Sequence, residues 1–296
     1  MKIVIAGASG MLGRALVTAS RARGHAVVCL VRRPLQNAGE ARWDPSAGEL
    51  DASVLDGANL VVNLCGTGIA DRRWSVERKL ELWESRILST RTLVSALGRM
   101  ETKPARFVCA SAVGFYGDRG EERLREDSGP GVGFLSDLCQ AWEGEAAKAV
   151  LAGVGTVSLR LGVVLSPEGG MLARLLPAFR FGLGCTLGDG RAWLSWISLQ
   201  DAVGAILDLP GLESPSAALN LVAPGVLRAE EFNRVVAKFL HRPCLFRVPG
   251  FLVRAAFGEL AREALLASVR AEPAVLLGAG FRFSHPDLDS ALASML

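Results

Sequence analysis

The segment Gly7-Ala8-Ser9-Gly10-Met11-Leu12-Gly13 holds the residue types and spacing that most directly imply chemistry. It follows the apolar run Ile3 to Ala6 and opens a helical pattern, so its glycines stand where a first strand turns into a first helix. In that context glycine permits a tight turn, lets the backbone approach a pyrophosphate and lets the helix pack closely on the sheet, while the helix N-terminus faces the anion. The second candidate strand ends Leu30-Val31-Arg32-Arg33, where a protein receiving the ribose 2′-hydroxyl of NAD would place an acid. Two guanidinium groups instead suit a 2′-phosphate, since they stay charged and present forked donors. These residues predict a dinucleotide site that prefers NADP(H) over NAD(H), against the alternatives of a structural glycine turn and a solvated basic loop.

Other chemistries find less support. His25, His241 and His285 are dispersed, and the six cysteines form no CxxC pair, so no metal site is expected and the cysteines are read as reduced residues of a cytoplasmic protein. The acids Asp118, Glu121, Glu122, Glu126 and Asp127 cluster in one glycine-flanked loop, read as solvated and flexible or as placing one acid within reach of substrate. With 296 residues, 50% hydrophobic, 21% charged and a net charge of +3, disorder, a coiled coil and a nucleic-acid arm are poor readings. The longest uncharged stretches, Gly57 to Ala70 and Ser214 to Leu227, fall short of a transmembrane helix, so no membrane partner is expected.

The elements that must position the glycine turn follow from periodicity. Apolar, β-branched runs at Ile3 to Ala6, Ala26 to Val31, Leu60 to Leu64, Phe107 to Ala110 and Thr156 to Leu159 alternate with helical patterns at Met11 to Arg23, Val76 to Met100 and Leu135 to Ala152. Continuous rather than alternating hydrophobicity suits strands covered on both faces. The spacing therefore predicts an α/β fold, a Rossmann-type doubly wound parallel sheet with a smaller, mostly helical C-terminal cap. Residues 1–165 would form the NADP(H)-binding domain, with later returns to the sheet. Residues 166–296 would supply glycine-rich substrate-side loops, then helical patterns at Gln200 to Leu209, Ala229 to Leu240, Phe251 to Ala267 and Pro286 to Met295.

Segments spread nearly end to end carry a resemblance: the glycine turn, Trp43-Asp44-Pro45, Val62-Asn63-Leu64-Cys65-Gly66, Glu84-Ser85-Arg86, Ser111-Ala112-Val113-Gly114-Phe115-Tyr116-Gly117, Arg160-Leu161-Gly162-Val163-Val164, Ser195-Trp196-Ile197, and the tail Gly280-Phe281-Arg282-Phe283 with Pro286-Asp287-Leu288. Here the chain resembles the atypical, epimerase-like branch of the extended short-chain dehydrogenase/reductases, with a small DUF1731-type module at about 247–294. The resemblance implies that Gly7, Ser9, Gly10, Met11 and Leu12 hold the pyrophosphate beside Gly13, and that Val31 and Arg32, followed by Arg33, hold the adenosine ribose phosphate. It implies that Leu64, Cys65 and Gly66 lie along the cofactor, that Glu81 and Arg86 contact it, and that Val163 and Val164 stand beside the nicotinamide. For Glu81 and Arg86 the residues alone favour a surface ion pair. A histidine usual after Trp-Ile is here Ser198, which would alter the substrate pocket.

The superfamily ordinarily uses a Tyr-x-x-x-Lys pair with an upstream serine, the lysine lowering the tyrosine pKa so that the phenol exchanges a proton with the substrate oxygen. The single tyrosine, Tyr116, has Gly120 four residues on, so no such pair exists. Alignment on the shared segments puts Ala112 in the serine position beside Ser111, Cys139 in the tyrosine slot and Glu143 in the lysine slot. Cys139, Ser111 and Tyr116 are therefore the candidate catalytic residues, and a carboxylate near Cys139 disfavours its thiolate. Two functions remain: an NADP(H)-dependent oxidoreductase or epimerase acting on a small carbonyl or hydroxyl substrate, and a cofactor-binding sensor without turnover. Monomer and dimer are equally open.

Overall fold

A computed structural model describes residues 1–211 and 217–296. The uncharged stretch from Ser214 begins outside these residues and re-enters them at Ala217. Seven parallel strands form one sheet: β1 Lys2–Ala6, β2 Ala26–Val31, β3 Glu40–Arg42, β4 Leu60–Asn63, β5 Arg106–Ala112, β6 Thr156–Leu161 and β7 Ala218–Leu221. Their spatial order is β3-β2-β1-β4-β5-β6-β7. The chain winds outward from β1 in one direction, then restarts beside β1 at β4, which leaves a crevice at the carboxyl ends of β1 and β4.

Alternate residues of the strands serve opposite faces, and both faces are dry. Ile3, Ile5, Leu60, Val62 and Val157 meet α1 Met11–Ala22 through Leu16, and α5 Leu199–Asp208 through Ala202 and Ile206. Val4, Val61, Phe107 and Cys109 meet α2 Val76–Arg99 through Leu93 and Leu97, and α3 Phe134–Ala147 through Trp142 and Ala146. A third cluster joins α4 Gly170–Arg180, α6 Ala229–Phe239 and the last helix, α8 Leu288–Met295, through Phe179, Phe232, Val236 and Leu292. This last cluster is the core of the smaller C-terminal portion. No helix among the described residues is long and apolar enough to cross a membrane.

Several elements depart from the periodicity reading. The segment after Gly169-Gly170 is not loop but the helix α4, with Pro177 inside it. The helical pattern at Gln200 to Leu209 belongs to the sheet's own layer, because its apolar face packs on α1 and the strands. Phe251 to Ala267 is not one helix: α7 Gly250–Phe257 stops at Gly258, whose φ of +61° ends the helical run, and a separate turn covers Ala261–Leu265.

Candidate functional site

At the carboxyl end of β1 the chain cannot carry side chains at two of the glycines. Gly7 has φ +82°, and a Cβ there would lie 2.7 Å from the backbone carbon of Leu64. A Cβ on Gly13 would lie 2.2 Å from the Gly7 carbonyl oxygen and 2.8 Å from Ala8 Cα. Glycine thus brings the turn against β4 and the helix against the turn. Gly10 precedes α1 in extended conformation and offers no side-chain cap, so the first N–H groups of this helix face the crevice without an intrahelical acceptor. That is an anion cradle of the kind a pyrophosphate fits. Met11 packs against the Gly169-Gly170 turn, its Sδ 3.0 Å from where a Gly169 Cβ would stand.

The two arginines after β2 differ. Arg33 is engaged with Glu40 on β3 through two hydrogen bonds of 2.9 and 2.6 Å. These bonds hold the Glu40 carboxyl down at about 2. Arg32 is exposed and has no hydrogen bond or ion pair among the described residues. Val31 ends β2 half-buried beside it. Of the basic pair, Arg32 is the guanidinium available to a phosphate.

Beyond β4, Cys65 N–H donates to Asn63 Oδ1 at 3.1 Å, and burial pushes the Cys65 thiol up to about 12. Arg86 lies against Gly66, its Cζ 3.0 Å from where a Cβ would be, and donates to the carbonyls of Leu82 (2.9 Å) and Thr67 (3.0 Å). Its partners are carbonyls and Ser85, not carboxylates, and burial pulls it down to about 10. A desolvated guanidinium without a counter-ion favours an anion beside it. Glu81, by contrast, is ion-paired with Arg72 (2.6 Å) and Arg78 (2.7 Å). Arg174 on α4 donates to the Ala70 carbonyl and to Asp71, tying the segment after β4 to the helix beside Met11. Val163 and Val164, half-buried, pair in parallel with Trp196 and Ile197.

The three candidate proton-handling residues are all buried. Ser111, next to last in β5, is 2% exposed and donates to Glu143 Oε1 at 2.7 Å. Cys139 on α3 is buried, and desolvation followed by the Glu143 carboxylate pushes its thiol up to about 11. Tyr116 is fully buried. Its hydroxyl has two acceptors for its one proton, Asn220 Oδ1 at 2.7 Å and the Arg125 carbonyl at 2.9 Å, and accepts from Arg160 at 2.9 Å. Arg160, on β6, also grips both oxygens of Glu143 at 3.0 Å and stacks over the Phe115 ring at 3.5 Å. Glu143 therefore anchors a buried network running from Ser111 through Arg160 to Tyr116 and Asn220. Glu126 corrects the reading of its acidic loop as wholly solvated. It accepts from the N–H groups of Asn220 and Val275 at 3.1 and 3.2 Å.

Sequence reasoning gave Arg160, Arg174 and the Gly169-Gly170 turn no role at the site; the doubled glycine before an amphipathic segment was the available signal for the last. Ser198 does not face the crevice. It is fully buried and caps α5.

The model for the NAD dependent epimerase/dehydratase family matches residues 3–210, and that for the DUF1731 domain of unknown function matches residues 248–295. The epimerase family protein ML0860 of Mycobacterium leprae is 43% identical over 98% of this chain and 94% of its own length. The human epimerase family protein SDR39U1 is 32% identical over the whole of both chains. A crystal structure of the human protein with NADPH superposes with a TM-score of 0.88 at 29% identity, covering 100% of this chain and 99% of that one. A nucleoside-diphosphate sugar epimerase from Corynebacterium glutamicum gives a TM-score of 0.82 at 32% identity, over 100% of this chain and 58% of that one. With its Rossmann-like sheet, glycine cradle and C-terminal module, the chain belongs to the NAD-dependent epimerase/dehydratase family, in the branch that carries a DUF1731 module.

Proposed function

We propose that this chain binds NADP(H) across the carboxyl ends of β1, β2 and β4 and acts as an oxidoreductase or epimerase on a small carbonyl or hydroxyl compound. The observation that carries this reading is the packed glycine cradle at the uncapped N-terminus of α1, with Arg32, unpartnered among the described residues, just after β2. The α1 N–H groups would hold the pyrophosphate, Arg32 the 2′-phosphate, and Arg86 a further anionic or ribose oxygen. When bound, the nicotinamide supplies the hydride chemistry. The NADPH in the structure of the human relative supports the choice of cofactor.

A second reading, a cofactor-binding protein without turnover, is favoured by the burial of Ser111, Cys139 and Tyr116 within internal hydrogen bonds. Incubating the purified chain with NADPH and a panel of aldehydes, ketones and nucleotide sugars separates the two. NADPH consumption, or an epimerised sugar formed without it, that disappears in Gly13→Ala supports the enzyme, and saturable binding with neither supports the sensor. Absence of both removes both.

A further inference from the structure

A cavity of about 580 Å³ lies between α1, α5 and the segment Phe281 to His285. None of the residues placed above at the dinucleotide site or in the Ser111 network lines it. Its apolar wall comes from Ala15 and Ala19 of α1, Val203 of α5 and Phe281. The volume is in the range of small-molecule sites, about 300–1,000 Å³.

Its polar floor is a hydrogen-bond chain whose proton positions follow from counting. Ser198 Oγ accepts the Asp201 N–H (3.0 Å) and gives its one proton to Asp201 Oδ2 (2.9 Å). Its remaining lone pair meets His285 Nδ1 at 3.0 Å. The Asp201 carboxylate also accepts from the N–H groups of Ser284 (2.7 Å) and His285 (3.0 Å), and an ionised carboxylate has no proton to return. The proton between Ser198 and His285 therefore sits on Nδ1, 3.6 Å from Asp201 Oδ2, and Nε2 is the ring atom left to meet a ligand. His285 is only 7% exposed and lines the cavity, and its Nε2 has no partner among the described residues. Arg282, exposed and also lining the cavity, has no acid partner among them.

We propose that this cavity is a second ligand site, separate from the dinucleotide crevice, for a small organic acid with an apolar body and a hydroxyl or N–H group. The acid pairs with Arg282, the donor meets His285 Nε2, and the body lies against Ala15, Ala19 and Phe281.

Calorimetric titration with para-hydroxybenzoate as the probe, with and without NADPH, tests the site. Saturable binding is expected whether or not NADPH is present. It should weaken at least about tenfold in Arg282→Ala and in the cavity-filling Ala19→Phe, while NADPH affinity is unchanged in both. Benzoate, lacking the donor, should bind several-fold more weakly. No saturable binding at millimolar probe, competition with NADPH, or equal binding in the exposed-site variant Arg282→Ala overturns the proposal. Imidazole ¹⁵N spectra give an independent check: His285 is expected as the Nδ1–H tautomer, and the Nε2–H tautomer contradicts the assignment.

Discussion

Replacing Glu143 by leucine removes the acid that Arg160 grips with two hydrogen bonds of 3.0 Å and the acceptor of the Ser111 hydroxyl. The side chains of this pair are 6% and 14% exposed, so solvent offers the stranded guanidinium little compensation. Deleting one member of a buried ion pair costs ~3–5 kcal/mol, which for a chain of this size lowers Tm by roughly 5–8 °C. Arg160→Met falls in the same range, because it strands the Glu143 charge and removes donors from Tyr116 Oη and the Glu126 carbonyl. The double variant Glu143→Leu/Arg160→Met strands neither charge and exchanges the pair for apolar volume, a change that is often close to neutral. It is expected to recover more than half of the summed loss. Urea and thermal denaturation of the four proteins, followed by circular dichroism, close the cycle. Single-variant losses below ~1 kcal/mol, or a double variant whose loss equals the sum of the singles, would refute a coupled structural pair. Glu143 would then be free for another role.

Gly13→Ala puts a Cβ where the Gly7 carbonyl oxygen already stands, so NADPH affinity should fall by more than about tenfold in a fluorescence titration; wild-type affinity would contradict the packed cradle. Glu40, held by Arg33 at about 2, lies below the ordinary ~4.3 of an unfolded glutamate. The pair's contribution to stability is therefore complete above roughly pH 4.5 and is lost as pH falls towards about 2. A ¹³C carboxyl titration of Glu40 with a midpoint near the ordinary value would oppose this. Cys65 and Cys139, pushed up to about 12 and about 11, should resist iodoacetamide at neutral pH in the folded chain. Rapid native alkylation of Cys139, mapped by mass spectrometry, would restore it as a proton-exchanging thiol.

Legibility in the sequence followed how local each cause is. The five strands read from apolar runs are buried on both faces, so their hydrophobicity is continuous and needs no partner to be seen. Glu40–Arg42 has no apolar run and is a strand because β2 beside it supplies the ladder, with Arg33 bonding Glu40. Ala218–Leu221 is only four residues and lies past the glycine-rich loops, so its return to the sheet beside β6 is a tertiary fact. The glycine turn was legible because strand, turn and helix are contiguous. Which of Arg32 and Arg33 remains available was not, since that depends on Glu40. Nor was the fate of Ser111 and Tyr116: their partners Glu143 and Asn220 are 32 and 104 residues away, and Arg160 joins them only after β5 and β6 pair.

Selection of NADP(H) through Arg32, as proposed for the crevice at β1, β2 and β4, separates the two cofactors by the 2′-phosphate alone. Calorimetric titration of NADPH and NADH into wild type and Arg32→Ala tests it most directly. The expected result is tighter NADPH than NADH binding in wild type, with Arg32→Ala weakening NADPH by at least about tenfold, the loss of a charge-assisted phosphate contact, and leaving NADH unchanged. Equal affinities for the two cofactors in wild type, or NADPH binding unmoved by Arg32→Ala, would contradict it.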